Sequence, residues 1–126
     1  MNQVIHTPSA PAAIGPYSQA VQAGNLLFVS GQLPVDPATG EFAGQDIESQ
    51  TRQSLTNVTK ILEAAGYTCA DVVKTTVLLT DMGDFAAMNA VYGEFFQENC
   101  PARACFAVKA LPKGALVEIE AVACKG

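Results

Sequence analysis

Two short segments near the C-terminal end carry the side chains best suited to chemistry. In PARACFAV, residues 101–108, Arg103 is one of only two arginines in the chain, the other being Arg52. The segment is apolar and alternating, as a buried strand would be. Side chains in a strand alternate between faces, so Arg103 and Cys105 share one face and Ala104 and Phe106 the other. In LVEIEAVA, residues 116–123, the same rule places Glu118 and Glu120 together, with Val117, Ile119 and Ala121 opposite. Charge on a strand is compatible with an internal ion pair or with an edge that resists aggregation. It is also compatible with a small polar site that holds one fixed cation and at least one carboxylate. Arginine suits the cation's role because its planar fork binds a carboxylate bidentately and stays charged when partly desolvated. A substrate bearing a carboxylate would fill such a site. Alternation alone leaves Glu118 and Glu120 as equal candidates for its general base.

Other chemistries find less support. Cys69, Cys100, Cys105 and Cys124 form no CxxC pair and have no histidine at ligand spacing, so free thiols are expected and a metal site is not. The lone histidine, His6, lies in a different motif from Cys105 with no visible partner geometry, which argues against a histidine-activated thiolate. SGQLP, residues 30–34, lacks the lysine and the spacing of a phosphate-binding loop. A net charge of −5 and a pI near 4.6, with scattered lysines, argue against binding through a nucleic-acid backbone. The N-terminal residues have no basic, then apolar, signal-peptide pattern, and no apolar run approaches a membrane span. A soluble cytoplasmic protein that needs no membrane partner is therefore expected.

The elements that position these residues can be read from pattern. Residues 1–126 suit a single domain. Strands are expected near 17–22 and 26–30, joined at a Gly24-Asn25 turn, with an ordered loop through Pro34, Pro37 and Gly40. Apolar residues at helical spacing predict a helix over 46–65, capped by Asp46 and stopped at Gly66. A β-branched run predicts a strand at 72–80, and a second helix at 84–98 should bury Phe85, Met88, Tyr92, Phe95 and Phe96. Final strands are expected at 103–109 and 116–124. This order describes an α+β fold, a mixed sheet with both helices on one face and room for one more N-terminal strand. Only 15% of residues are charged against 49% hydrophobic, so the other sheet face needs cover, which a symmetric oligomer supplies most simply.

Taken together, GPYSQAV (15–21), SGQLPVDPATG (30–40), RQSLTNV (52–58), DVVKTTVLLTD (71–81), and PARAC with VEIEA (101–105 and 117–121) closely resemble the RidA family, also called YjgF. The resemblance spans almost the whole chain. It implies chorismate-mutase-like subunits in a homotrimer, with a small-acid site at each subunit interface. It also implies hydrolysis of 2-imino acids, and of enamine tautomers such as 2-aminoacrylate and 2-aminocrotonate, to 2-keto acids and ammonia without a cofactor. By position, Arg103 resembles the residue that binds the substrate carboxylate, Glu118 the one that positions and activates water, and Cys105 a lining residue whose backbone contacts substrate. Tyr17, Ser30, Gly31 and Asn89 resemble residues that shape the pocket. The motif alignment thereby prefers Glu118 over Glu120.

The residue types suit that reaction. An iminium carbon is already electrophilic, so positioning the acid and aiming one water at the carbon are the main tasks. Two other functions compete. One is a keto-acid-binding or chaperone-like protein without turnover; the other is an endoribonuclease or translation inhibitor, which the acidic composition disfavours.

Overall fold

The computed structural model describes residues 2–126. Three strands open the chain: β1 (Gln3–Ile5), β2 (Ala20–Ala23) and β3 (Leu26–Gln32). A small hairpin of β4 (Val35–Asp36) and β5 (Glu41–Phe42) precedes α1 (Ile47–Ala64). Then come β6 (Val72–Leu79), α2 (Phe85–Phe95), β7 (Ala102–Ala107) and β8 (Val117–Cys124). The main sheet has six strands in the order β1-β2-β3-β8-β6-β7. Among the described residues only the β6–β7 pair is parallel, and α2 provides its crossover.

Local chemistry explains the element ends. Gly24 takes φ +62° between β2 and β3, a conformation that costs glycine little, so the predicted hairpin forms there. Asp46 caps α1 by accepting from the Ser49 amide at 2.9 Å, and Gly66 follows the helix at φ +82°. The first hairpin strand starts at Ala20 rather than near 17. Tyr17 is drawn into a turn by its amide bond to the Gly15 carbonyl, and Gln19 points into a buried network. The second helix is shorter than expected, ending at Phe95 ahead of a left-handed Asn99.

Along β8, Val117, Ile119, Ala121 and Ala123 are all buried. Their partners Leu79, Val77 and Thr75 on β6 and Val29 and Leu27 on β3 are buried as well. This side meets Leu55, Val58, Ile61 and Leu62 of α1 and Met88 of α2 in one core. The opposite face has no helix on it. It leaves Val4, Phe28 and Phe106 at 64%, 46% and 49% exposure, an apolar surface of the kind that elsewhere marks an interface.

Polar residues of α1 are also buried, which its apolar pattern did not reveal. Asn57 Nδ2 donates to the carbonyls of Leu33 and Val35, and Gln50 Oε1 accepts from the Leu116 amide at 2.8 Å. These bonds tie the chain after β3 and the entry to β8 to one rigid helix. Gln19 does the same for the N-terminal loop. Its Oε1 accepts from the Thr7 amide at 2.7 Å, and its Nε2 donates to the carbonyls of Thr7 and Pro11. A Gln19→Leu variant therefore strands buried backbone groups and is expected to lose about 1–3 kcal/mol of stability. Denaturant unfolding measures the loss, and hydrogen exchange should show it concentrated at the Thr7 amide.

Candidate active site

Arg103 lies on the helix-covered side of β7, opposite Thr75 of β6. Three residues of α2 surround it. Its Nη1 donates to Asn89 Oδ1 at 2.7 Å, and its guanidinium carbon lies 4.7 Å from the centre of the Tyr92 ring and 5.5 Å from that of Phe85. Phe85, Asn89 and Tyr92 form one stripe because residues three and four apart share a helix face. Among the described residues, ion pairs join Arg52 to Glu94 and Lys60 to Glu63, and none involves Arg103. Asn89 neutralises no charge, and one donation leaves most of the guanidinium's five N–H groups uncommitted. Cys105 is next along the same face, where burial raises its thiol pKa and the Arg103 charge only partly opposes the rise. A protonated thiol at neutral pH suits a lining residue better than a nucleophile.

Glu118 lies on the other face. Its sheet neighbour on β6 is Leu78, whose own partner on β7 is the exposed Phe106. Burial, and then the like charge of Glu120, raise its pKa. Alternation could not separate the two carboxylates, but the fold does: Glu118 is half-buried among apolar neighbours and Glu120 is exposed.

The β3–β8 ladder is irregular between Val29 and Gln32, so Ser30 and Gly31 form a bulge beside Glu118. A Cβ on Gly31 would come within 2.9 Å of Glu118 Cδ, so only glycine leaves the carboxylate its place. Ser30 Oγ donates to the Ser18 carbonyl at 2.6 Å and its amide to the Gln19 carbonyl, which holds the Tyr17 segment against β3. A cavity of about 570 Å³ meets the bulge at Gly31 and is lined by Tyr17, Gln32, Leu33, Pro112 and Lys113 among others, with neither Glu118 nor Ser30 in its lining.

The residues singled out in the sequence thus fall into two groups. Arg103, Asn89 and Cys105 lie at the β7–α2 edge, while Glu118, Gly31, Ser30 and Tyr17 gather around the bulge. Within one chain Arg103 and Glu118 project from opposite faces of the sheet, so a site holding both the cation and the carboxylate needs a second copy, as the interfacial site implied by the resemblance would. Sequence reasoning placed Tyr92 only on the buried face of α2 and missed Thr75 altogether. An aromatic hydroxyl on an otherwise apolar stripe was the one available signal.

Among the described residues, no group of three or more His, Cys, Asp or Glu side chains could hold a metal ion, and no helix is long and apolar enough to cross a membrane.

Comparison with known proteins places this arrangement in a family. The profile described as Endoribonuclease L-PSP matches residues 7–125. A RutC family protein of Pyrococcus horikoshii is 58% identical over 125 residues, covering 99% of each chain. A goat (Capra hircus) protein named 2-iminobutanoate/2-iminopropanoate deaminase is 51% identical over 126 residues, covering 100% of this chain and 92% of its own. The crystal structure of Escherichia coli TdcF with bound serine superposes with a TM-score of 0.95 at 47% identity, covering 98% of this chain and 99% of that one. On this footing the chain belongs to the Endoribonuclease L-PSP family, the YjgF/RidA family that its motifs resemble.

Proposed function

We propose that the protein hydrolyses small 2-imino acids and their enamine tautomers, such as 2-aminoacrylate and 2-aminocrotonate, to 2-keto acids and ammonia. The observation that carries this reading is Arg103, a guanidinium positioned by Asn89 and two aromatic rings yet free of any carboxylate within the described chain. The deaminase name of the goat relative and the serine bound to TdcF, itself a small amino acid, support it.

Each site joins two copies of the chain. The β7–α2 edge of one subunit brings Arg103 and Asn89 over the bulge of its neighbour, where Glu118 and Gly31 wait. Two different patches that complement each other make a head-to-tail interface, which closes as a ring. The family resemblance makes that ring a trimer. The apolar sheet faces then cover one another, as composition led us to expect.

Arg103 takes the substrate carboxylate on the edge of its fork, with the backbone of Cys105 alongside. Glu118 accepts a proton from water as the oxygen bonds to the iminium carbon, and the C=N π pair moves to nitrogen. The protonated Glu118 returns its proton to the amine of this tetrahedral adduct. The C–N bond then breaks with its pair going to nitrogen, and the departing ammonia takes the hydroxyl proton, which leaves the ketone and ammonium. Tyr17 and Ser30 shape the side-chain end of the pocket. The endoribonuclease reading is weaker, because a net charge of −5 offers no basic track for RNA.

The test couples a pyridoxal-phosphate threonine dehydratase to semicarbazide trapping. Wild-type protein should suppress semicarbazone formation. Arg103→Ala should lose about 10- to 100-fold in kcat/KM through the charged carboxylate contact, and Glu118→Gln about 10²- to 10⁴-fold in kcat. Unchanged trapping in the presence of folded wild-type protein, across several dehydratase-derived imines, would refute the deaminase reading.

The pH dependence follows from the base. Glu118 must be ionised to accept a proton, so the acid limb of kcat follows its pKa, which within the chain is raised by burial and then by the Glu120 charge. Activity should therefore rise with pH through that limb. Because the Glu120 charge contributes to the rise, Glu120→Gln should move the limb to lower pH; a profile that stays put or moves upward contradicts the assignment.

A further inference from the structure

We propose that Tyr92, locked by Thr75, is a positioning residue that fixes the plane of the Arg103 guanidinium and so sets the site's selectivity for carboxylates. The inference rests on the proposed role of Arg103 as anchor and extends it to the two buried residues behind it.

Tyr92 is 6% exposed, and its hydroxyl lies 2.7 Å from Thr75 Oγ1 in a buried pair. A phenylalanine would fill the same apolar space without a polar group to satisfy. The hydroxyl's burial is offset only through its partner, and that partner has a telling location. Thr75 is 1% exposed and is the β6 residue directly opposite Arg103 in the β6–β7 ladder. The hydrogen bond therefore pins the Tyr92 ring to the strand position beside the arginine it carries. The Phe96 ring, 4.7 Å from that of Tyr92, packs against it and limits its freedom further.

The position of the Arg103 guanidinium carbon over the Tyr92 ring, 4.7 Å from its centre, has a chemical consequence. A guanidinium lying on an aromatic face gains cation–π attraction and loses that face as a binding surface. Asn89 then takes one N–H of its edge. What remains is an oriented set of in-plane donors, the geometry that matches a planar carboxylate in bidentate fashion. Burial holds the Tyr92 phenol above its ordinary pKa of 10.0, against the opposing effects of the Thr75 bond and the Arg103 charge, so it stays neutral and serves as a platform.

The test separates this role from simple core packing by using two ligands of one shape. Calorimetry would measure binding of 2-oxobutanoate and of uncharged 2-oxobutanamide to wild type, Arg103→Ala, Tyr92→Leu, Tyr92→Phe and Thr75→Val. Thermal melts would check that each variant is folded. Tyr92→Leu should weaken 2-oxobutanoate about 2- to 30-fold, the range of one cation–π contact, and leave 2-oxobutanamide unchanged. In kinetics it should raise KM for the imine with little change in kcat, the mark of lost uniform binding. Tyr92→Phe and Thr75→Val keep the ring but free it, and should weaken 2-oxobutanoate about 2-fold or more; they carry the test if the leucine variant does not fold. Equal losses for both ligands, or none for the carboxylate, overturn the proposal. If wild type binds 2-oxobutanoate through Arg103 but turns over no imine, the deaminase reading fails while the Tyr92 variants still decide this one. If wild type does not bind 2-oxobutanoate at all, the anchor and its platform fall together.

Discussion

Alternation along β8 is the constraint on which the rest of the molecule depends. Val117, Ile119, Ala121 and Ala123 are drawn under the helices by the hydrophobic effect, and this forces Glu118 and Glu120 onto the uncovered face. A register slip of one residue would bury both carboxylates in the core, so their position is fixed by the packing of their neighbours. β7 obeys the same rule with the opposite result. Arg103 pairs with the buried Thr75 and therefore points toward α2. One sheet thus carries a cation on one side and a general-base candidate on the other.

That separation gives the proposed assembly a chemical purpose. An unpaired arginine at one edge, a half-desolvated glutamate beside a glycine bulge, and the exposed Phe28 and Phe106 on the uncovered face are each incomplete in a lone chain. The proposed head-to-tail association would complete all three together. It would cover apolar area at roughly 25 cal/mol per Å², and it would bring the guanidinium of one chain to the carboxylate of another, a pair that cannot form within one chain. An internal pair would leave the cation no charge to offer a substrate.

Much of this was legible in the sequence, for identifiable reasons. The helices and strands declared themselves because α1 keeps its apolar period and β6 and β8 are rich in β-branched and alternating residues. Asp46, Gly24 and Gly66 marked boundaries because capping and left-handed turns depend on local chemistry alone. The start of β2 was misplaced because Gln19 is recruited by Thr7 and Pro11, contacts a local pattern does not reveal. Alternation left Glu118 and Glu120 level because both sit on the same face, and the preference for Glu118 came from the motif resemblance; what the pattern did not show is that Glu118 is half-buried against the bulge at Gly31 while Glu120 is exposed. The division of the site across two faces was also hidden, since alternation fixes faces within a strand and not between strands. Thr75 was missed for that reason, its significance arising from a register 28 residues away, at Arg103.

The claim at the centre of this account is that Arg103 and Glu118 act on one substrate from different subunits, and subunit mixing tests it most directly. Arg103→Ala and Glu118→Gln chains, each expected alone to keep about a tenth of wild-type kcat/KM or less in the imine-trapping assay, would be co-expressed or unfolded together and refolded in equal amounts. In a three-membered ring assembled at random, about one site in four then receives an intact arginine and an intact glutamate from different chains, so activity should return to about a quarter of wild type. Mixed oligomers that form, as verified by differently tagged chains, yet stay as inactive as either parent would contradict it.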